Sequence, residues 1–184
     1  MDNVNIDGIS NINVVKELFS SVKCIEEDNC ILVVLNRDYV NSKVDNNKFL
    51  KTNIATAIAK EAINEFNKKL NDKEKIIFSR SVYCGYLINV VSNGIGVIPL
   101  KSNGQLIPKV KDFITDVDNY IFIGNDEINK IELQKLPLRH SVKKLAIFLK
   151  NLDNVCTPWT LPIKHKLVSY QEENYNKLVN KISR

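Results

Sequence analysis

The most constraining feature of the sequence is an alternation of apolar and polar residues between Asn119 and Ile163. The alternating segments are Asn119–Gly124, Ile128–Leu136, Lys144–Lys150 and Thr157–Ile163. Polar, turn-forming residues follow the first segment at Asn125-Asp126-Glu127. Because side chains alternate across a β-strand, this period of two predicts consecutive antiparallel strands with one buried face.

Further strands are predicted upstream of this region. Cys30–Leu35 is a short apolar run rich in β-branched residues. Tyr86–Val91 and Ile95–Leu100 flank the turn-forming residues Ser92-Asn93-Gly94, which predicts a hairpin. Ile76–Phe78 and the passage after it, up to Cys84, are also expected to be extended.

A change of period predicts a helix over about residues 48–70. Apolar residues recur at four-residue steps, at Leu50, Ile54, Ile58, Ala62, Phe66 and Leu70. This stripe could dock on the rest of the protein, pair with another copy, or lie on a membrane. The charged segment Asn71–Lys75 that follows is interpreted as a linker, which divides the chain into an N-terminal region, 1–73, and a domain, 75–184.

Helix ends are predicted from capping patterns. Ser10 is expected to cap a short N-terminal helix. Ser169-x-x-Glu172 has the pattern of a capping box at the start of a C-terminal helix. Apolar residues of that helix fall on one stripe, at Tyr175, Leu178, Val179 and Ile182.

In the order of these elements, residues 75–184 resemble the bacterial branch of pleckstrin-homology-like (PH-like) domains. The matching features are the turn at Ser92–Gly94, the strands from Tyr120 to Leu149 and the helix from Tyr170 to Ile182. The resemblance implies an α+β protein: a bent antiparallel β-barrel of about seven strands with a C-terminal capping helix, preceded by a small helix-containing N-terminal region.

The resemblance also implies binding rather than catalysis, to phosphoinositide headgroups in some members and to proteins or peptides in others. The phosphoinositide-binding members carry several lysines and arginines in the first two strands and their loop. Here Arg80 is the one basic residue between Ile76 and Leu100. Inositol-phosphate recognition in the usual pocket is therefore not expected.

Charge is unevenly distributed along the chain. The formal net charge is +5, and residues 74–184 contain 16 Lys or Arg against 10 Asp or Glu. No apolar run approaches the roughly 20 residues of a membrane-spanning helix, and the first residues are polar and acidic. These features predict a soluble cytoplasmic protein, and the abundance of Asn, Lys and Ile suits an AT-rich bacterial genome.

The densest basic group surrounds Leu136-Pro137-Leu138 in a predicted loop between two strands. It consists of Lys135, Arg139, His140, Lys143 and Lys144. It could contact phosphate groups or an anionic membrane surface, with Lys135, Arg139, Lys143 and Lys144 as the binding residues. It could equally be a solvated loop whose charges discourage edge pairing. Nucleic acid is not expected as a partner, because no aromatic residue is interleaved with these cations.

A protein partner is the other candidate. The residues that could contact it are Ile54, Ile58, Phe66 and Trp159. Trp159 could instead belong to the core, which is the commoner place for a lone tryptophan on an alternating strand. Pro158 and Pro162 lack ladder donors, so their segment is either an edge strand or one that makes few bonds on one side. An edge strand could accept a strand from a partner.

No catalytic or cofactor motif is present. The four cysteines form no C-x-x-C pair and the two histidines complete no ligand pattern, so no metal, cofactor or disulfide is predicted and buried thiols are expected. The sequence therefore predicts a non-catalytic binding module for protein, including self-association into an oligomer. The alternative is a peripheral membrane or anionic-ligand module that uses residues 135–144.

Overall fold

One antiparallel sheet contains the eight strands of the described residues. The structure, a computed structural model, describes residues 2–36, 65–78, 82–102, 110–137, 139–152 and 155–183. The strands are β1 (Cys30–Asn36), β2 (Gly85–Val91), β3 (Gly94–Ser102), β4 (Phe113–Thr115), β5 (Ile121–Gly124), β6 (Ile128–Leu136), β7 (Arg139–Leu149) and β8 (Trp159–Pro162). Their order is β4-β3-β2-β1-β8-β7-β6, and β5 also pairs with β3. With its helices, the protein is of the α+β class.

The alternating residues do form the predicted strands. The segment from Asn119 to Ile163 contributes β5, β6, β7 and β8, and the predicted hairpin is β2–β3, in which Val91 lies opposite Gly94. Strand β1 lies between β2 and β8, so residues of the range 1–73 and residues of 75–184 share one sheet. The division of the chain into these two domains stays a prediction.

Four α-helices lie with both ends within the described residues and accompany the sheet. They are α1 (Ile6–Ser10), α2 (Ile12–Ser21), α3 (Asp72–Phe78) and α4 (Gln171–Ile182). Both predicted capping residues are wrong. Asn11, not Ser10, caps α2, because its Oδ1 accepts from the Asn13 amide at 3.0 Å. The N-cap of α4 is Tyr170, which makes no side-chain capping bond. None of the described helices has the length and apolar character needed to cross a membrane.

Helix α3 replaces the predicted linker and the predicted extended segment at Ile76–Phe78. Asn71 and Glu74 form a reciprocal capping box: Asn71 Oδ1 accepts from the Glu74 amide at 2.8 Å, and Glu74 Oε2 accepts from the Asn71 amide at 2.9 Å. Lys73 Nζ lies 2.5 Å from Glu127 Oε1 and so ties α3 to the turn between β5 and β6.

Most of the predicted helix over about residues 48–70 lies outside the described residues, and so do Ile54 and Ile58. Residues 65–69 are helical. The Phe66 ring meets the Phe78 ring edge to face, with 5.9 Å between their centroids. This end of the predicted helix therefore packs on α3.

Residues on both faces of the sheet are buried, in two separate cores. The inner core lies on the face that α3 and α4 cover, and it includes Leu32, Val34, Tyr86, Ile147, Trp159 and Leu178. The outer core lies under α1 and α2, and it includes Leu18, Phe19, Ile31, Val33, Leu87 and Ile98. Strand β1 supplies both cores through its alternation, which is why six of its seven residues are buried and Leu35 is partly buried.

Helix α4 lies where β1 and β8 diverge. The two strands pair only at Leu35 and Asn36, and Pro162 has no N–H with which to continue the ladder. The side-chain amide of Gln171 takes the place of a paired residue. Its Nε2 donates to Val33 O at 3.0 Å and Pro162 O at 2.9 Å, and its Oε1 accepts from Val33 N at 3.0 Å.

Candidate binding surfaces

The predicted basic residues come together at the outer end of the β6–β7 hairpin. Lys135 lies directly opposite Lys143 in the ladder, Leu136 lies opposite Arg139, and Lys144 lies opposite Gln134. We call Lys135, Arg139, His140, Lys143 and Lys144 the basic hairpin end. Lys135, Arg139 and His140 are exposed, while Lys143 and Lys144 are partly exposed.

The positive charge of the basic hairpin end is not neutralised locally. Within the described ranges, none of Lys135, Arg139, Lys143 and Lys144 has a carboxylate within 4.0 Å. Glu132, on the same hairpin, is already engaged: it lies 2.7 Å from Lys130 Nζ and accepts from Gln134 Nε2 at 2.9 Å. The bond from Lys130 and the bond from Gln134 lower the pKa of Glu132. Like charges placed opposite each other on a ladder are destabilising, so the hairpin retains Lys135 and Lys143 at a cost.

Strand β6 is a sheet edge as far as the described residues show. It pairs with β7 on one side, and no other described strand pairs with it. Irregularities between Ile128 and Lys130 and between Lys135 and Leu136 limit its regular stretch to residues 130–135. Strand β8, by contrast, lies between β1 and β7. Of the two interpretations of Pro158 and Pro162, the edge strand is wrong, and the strand with few bonds on one side is confirmed.

A second candidate surface is a pocket of about 340 Å³ beside the β2–β3 turn. Three chain segments form its wall: the residues that follow α2, the β2–β3 turn, and the start of β5. They contribute Val22, Lys23, Cys24, Ile25, Glu26, Val91, Asn93, Tyr120 and Phe122. We call it the Lys23 pocket. Its volume lies in the range of roughly 300–1,000 Å³ that is usual for small-ligand sites.

The deepest part of the Lys23 pocket is tightly packed and uncharged. Cys24 is only 4% exposed, and its thiol and the Tyr120 side chain both line this part of the pocket. A Cβ at Gly96 would lie 2.4 Å from Cys24 Sγ, so a glycine is needed there for the close approach. Burial raises the pKa of both Cys24 and Tyr120, and both side chains are therefore neutral at pH 7.

Two opposite charges lie on the wall of the Lys23 pocket. Glu26 accepts from the Ser92 hydroxyl at 2.5 Å and from the Ser92 amide at 2.9 Å, and these bonds lower its pKa. Lys23 has a φ of 57°, in the left-handed region. It occupies the residue after the C-cap of α2, where the Cys24 amide donates to Phe19 O and the Lys23 amide donates to Ser20 O. This is a Schellman motif, whose left-handed position usually holds glycine.

Asn89 fixes the segment that carries these charges. It is fully buried, its Nδ2 donates at 2.9 Å to both Cys24 O and Asn29 Oδ1, and its Oδ1 accepts from the Cys30 amide at 3.2 Å. We expect Asn89→Leu to lower the free energy of unfolding by about 2–3 kcal/mol, because buried backbone groups of Cys24 and Cys30 lose their partner. Urea denaturation measures this.

Asn13→Leu is the matched control, since Asn13 is exposed on α2. We expect it to change the free energy of unfolding by less than about 0.5 kcal/mol. Equal losses from the two variants would show that the Asn89 hydrogen bonds do not stabilise this segment.

The remaining candidate residues pack in or against the inner core and are on neither surface. Trp159 is fully buried in the inner core, and Phe66 is partly buried against the same core. Burial raises the pKa of Cys30 and of Cys84 to about 12, so these thiols are protonated at neutral pH. All four cysteines are free, and no group of three or more His, Cys, Asp or Glu among the described residues could hold a metal ion.

Sequence reasoning identified the basic hairpin end but not the Lys23 pocket. The pocket lining comes from three segments that are far apart in the sequence, and none of them carries a motif. The left-handed residue was also missed, because a lysine there gives no sign of positive φ. The polar, turn-forming run Glu26-Glu27-Asp28-Asn29 is the one indication in the sequence, and the structure has bends there.

Comparisons with known proteins give no relative. No family model matches the chain, and neither the curated proteins nor the solved structures contain a significant match to it.

Proposed function

We propose that the protein is a non-catalytic binding module that takes up an extended, acidic segment of a partner protein along β6 and the basic hairpin end. The observation that carries this proposal is the combination of an edge strand with cations that no described carboxylate neutralises. Backbone groups of an edge strand bind a partner strand without regard to sequence, and the side chains beside it supply selectivity.

The regular stretch of β6 has the alternation that such a partner would extend. Ile131 and Leu133 pack against the inner core, while Lys130, Glu132 and Gln134 are on the other face. Lys135 follows Leu133 by two residues, so it lies on the same face as these apolar residues, at the hairpin end. An added strand that is apolar on this face beside Ile131 and Leu133 and acidic beside Lys135 would continue the core. It would also relieve the repulsion between Lys135 and Lys143.

We further propose that the sheet is an open form of the PH-like barrel. In support, each strand from β4 to β6 pairs with its neighbour in the order of the sheet. Where β1 and β8 separate beyond their short paired stretch, α4 fills the space between them. The ends of the sheet also approach each other at the β5–β6 turn, where the Gly124 amide donates to Glu127 Oε1 at 3.0 Å. The same turn meets the end of β7, because the Lys150 amide donates to Glu127 O at 2.9 Å.

The uncompensated cations also favour a second candidate, binding of the basic hairpin end to an anionic membrane surface. Each basic side chain near such a surface contributes about 1 kcal/mol, and the contribution falls with salt. In this alternative β6 has no role as an acceptor of a strand.

One experiment with two probes separates the candidates. The probes are a labelled synthetic peptide in which threonine alternates with valine in one half and with glutamate in the other, and vesicles of phosphatidylcholine with or without phosphatidylserine. We expect the peptide to bind, and Lys135→Glu/Lys143→Glu to weaken it by at least about threefold, since each exposed charge pair contributes up to about 1 kcal/mol. The protein should not pellet with either kind of vesicle.

Lys16→Glu/Lys150→Glu is the matched control, because it makes the same change in net charge at exposed lysines on α2 and at the other end of β7 from the basic hairpin end. It should bind the peptide as the unmodified protein does. Pelleting with phosphatidylserine vesicles alone, lost at high salt, would replace the proposal with the membrane candidate. Binding of neither probe would contradict both candidates.

A further inference from the structure

The Lys23 pocket is separate from the β6–β7 hairpin, and the proposed function makes no use of it. Its wall contains apolar surface from Val22, Ile25, Val91 and Phe122. Ile25 is 36% exposed, one of the few large apolar side chains with that much contact with solvent among the described residues. An apolar group of a ligand could cover this surface.

Lys23 and Glu26 line this pocket without neutralising each other. No ion pair within 4.0 Å joins them, although they are three residues apart. The bonds from Ser92 hold the Glu26 carboxylate in place. Lys181, which also lies near Glu26, is paired with Asp28 at 3.2 Å. The wall therefore presents one anionic and one cationic group beside an apolar surface.

The backbone of Lys23 adds a separate observation. A glycine would complete the Schellman motif without strain, whereas a left-handed residue with a Cβ costs free energy. The Schellman motif thus explains why residue 23 has a positive φ, but it does not explain why that residue is a lysine and not a glycine. Outliers of this kind occur disproportionately at ligand sites, where the side chain has a use that offsets the strain.

We propose that the Lys23 pocket binds a free α-amino acid with an apolar side chain. The ligand carboxylate pairs with the Lys23 ammonium, the ligand ammonium pairs with the Glu26 carboxylate, and the apolar side chain covers Val22, Val91 and Phe122. An α-amino acid has both charges on one carbon beside its side chain, which matches the arrangement of the wall. The neutral Cys24–Tyr120 pair closes the deep end, so no charged group is expected there.

Calorimetric titration with leucine and phenylalanine tests the proposal. Leucinamide lacks the carboxylate, N-acetylleucine lacks the ammonium, and glycine lacks the apolar side chain. We expect leucine and phenylalanine to bind at millimolar concentrations and each of the three analogues to bind at least about threefold more weakly. A leucine dipeptide, whose two charges are farther apart, should also bind more weakly.

Two variants assign the charges. In Lys23→Met the preference for leucine over leucinamide should disappear, and in Glu26→Gln the preference over N-acetylleucine should disappear. Each variant should keep the other preference, which a general loss of folding would not produce. Glu27→Gln is the control, because Glu27 is exposed and does not line the pocket.

Absence of binding by leucine and phenylalanine would overturn the proposal, and so would binding that neither variant changes. Tighter binding of the dipeptide than of leucine would replace the free amino acid with a peptide terminus. None of these results bears on the β6–β7 hairpin, so this inference and the proposed function can fail independently.

Discussion

We expect Gln171→Leu to lower the free energy of unfolding by about 3–4 kcal/mol. Gln171 is fully buried, and its amide makes three hydrogen bonds to backbone groups of Val33 and Pro162. Leucine fills a similar volume but leaves the Val33 amide and two carbonyl oxygens without their partner. Because α4 replaces β8 as the neighbour of β1 at this point, the loss falls on the junction of the two parts of the sheet. Urea denaturation followed by circular dichroism measures it.

Asn176→Ala is the control on the same helix. Asn176 is exposed, and alanine is the better helix former, so this variant should be as stable as the unmodified protein or more stable by up to about 0.7 kcal/mol. A loss below 1 kcal/mol for Gln171→Leu would contradict the role of this side chain as the bridge between Val33 and Pro162.

The strands were predictable because their period of two is a local property. Ile131, Leu133, Leu145 and Ile147 alternate in the sequence, and they pack on the inner core in the structure. The hairpin turn at Ser92–Gly94 is local in the same sense. Residues of one hairpin are brought together by that hairpin alone, whatever the rest of the fold. The basic hairpin end could therefore be identified from the sequence.

Helix α3 was missed because seven residues are too few to establish a helical period. Ile76, Ile77 and Phe78 are consecutive apolar residues, and such a run fits a buried strand as well as a helix. The deciding feature was the Asn71-x-x-Glu74 capping box, which was interpreted as part of a charged linker. The hydrogen bonds of the capping box favour a helix here more than the β-branched residues Ile76 and Ile77 favour a strand.

The position of β1 and the Lys23 pocket depend on contacts that no local pattern specifies. Cys30 lies opposite Val90, sixty residues later in the chain, and Asn36 lies opposite Trp159. The partners of β1 are thus set by how the whole sheet packs. The pocket depends in turn on this register, because Asn89 of β2 fixes the segment that ends in Cys30.

Trp159→Ala should be the most destabilising single substitution considered, with a loss of about 3–5 kcal/mol in the free energy of unfolding. Trp159 is fully buried, and its ring centroid lies 4.9 Å from that of Tyr86. Its Nε1 has no hydrogen-bond partner among the described residues, so Trp159→Phe gives up volume but no hydrogen bond and should cost about half as much or less. Urea denaturation of both variants is followed by circular dichroism and not by tryptophan fluorescence, because Trp159 is the chain's single tryptophan and both variants lack it.

If Trp159 instead served mainly to contact a partner, Trp159→Ala would leave the stability of the isolated protein within about 0.5 kcal/mol of its original value. A graded loss, with phenylalanine between tryptophan and alanine, is what a side chain of the inner core requires.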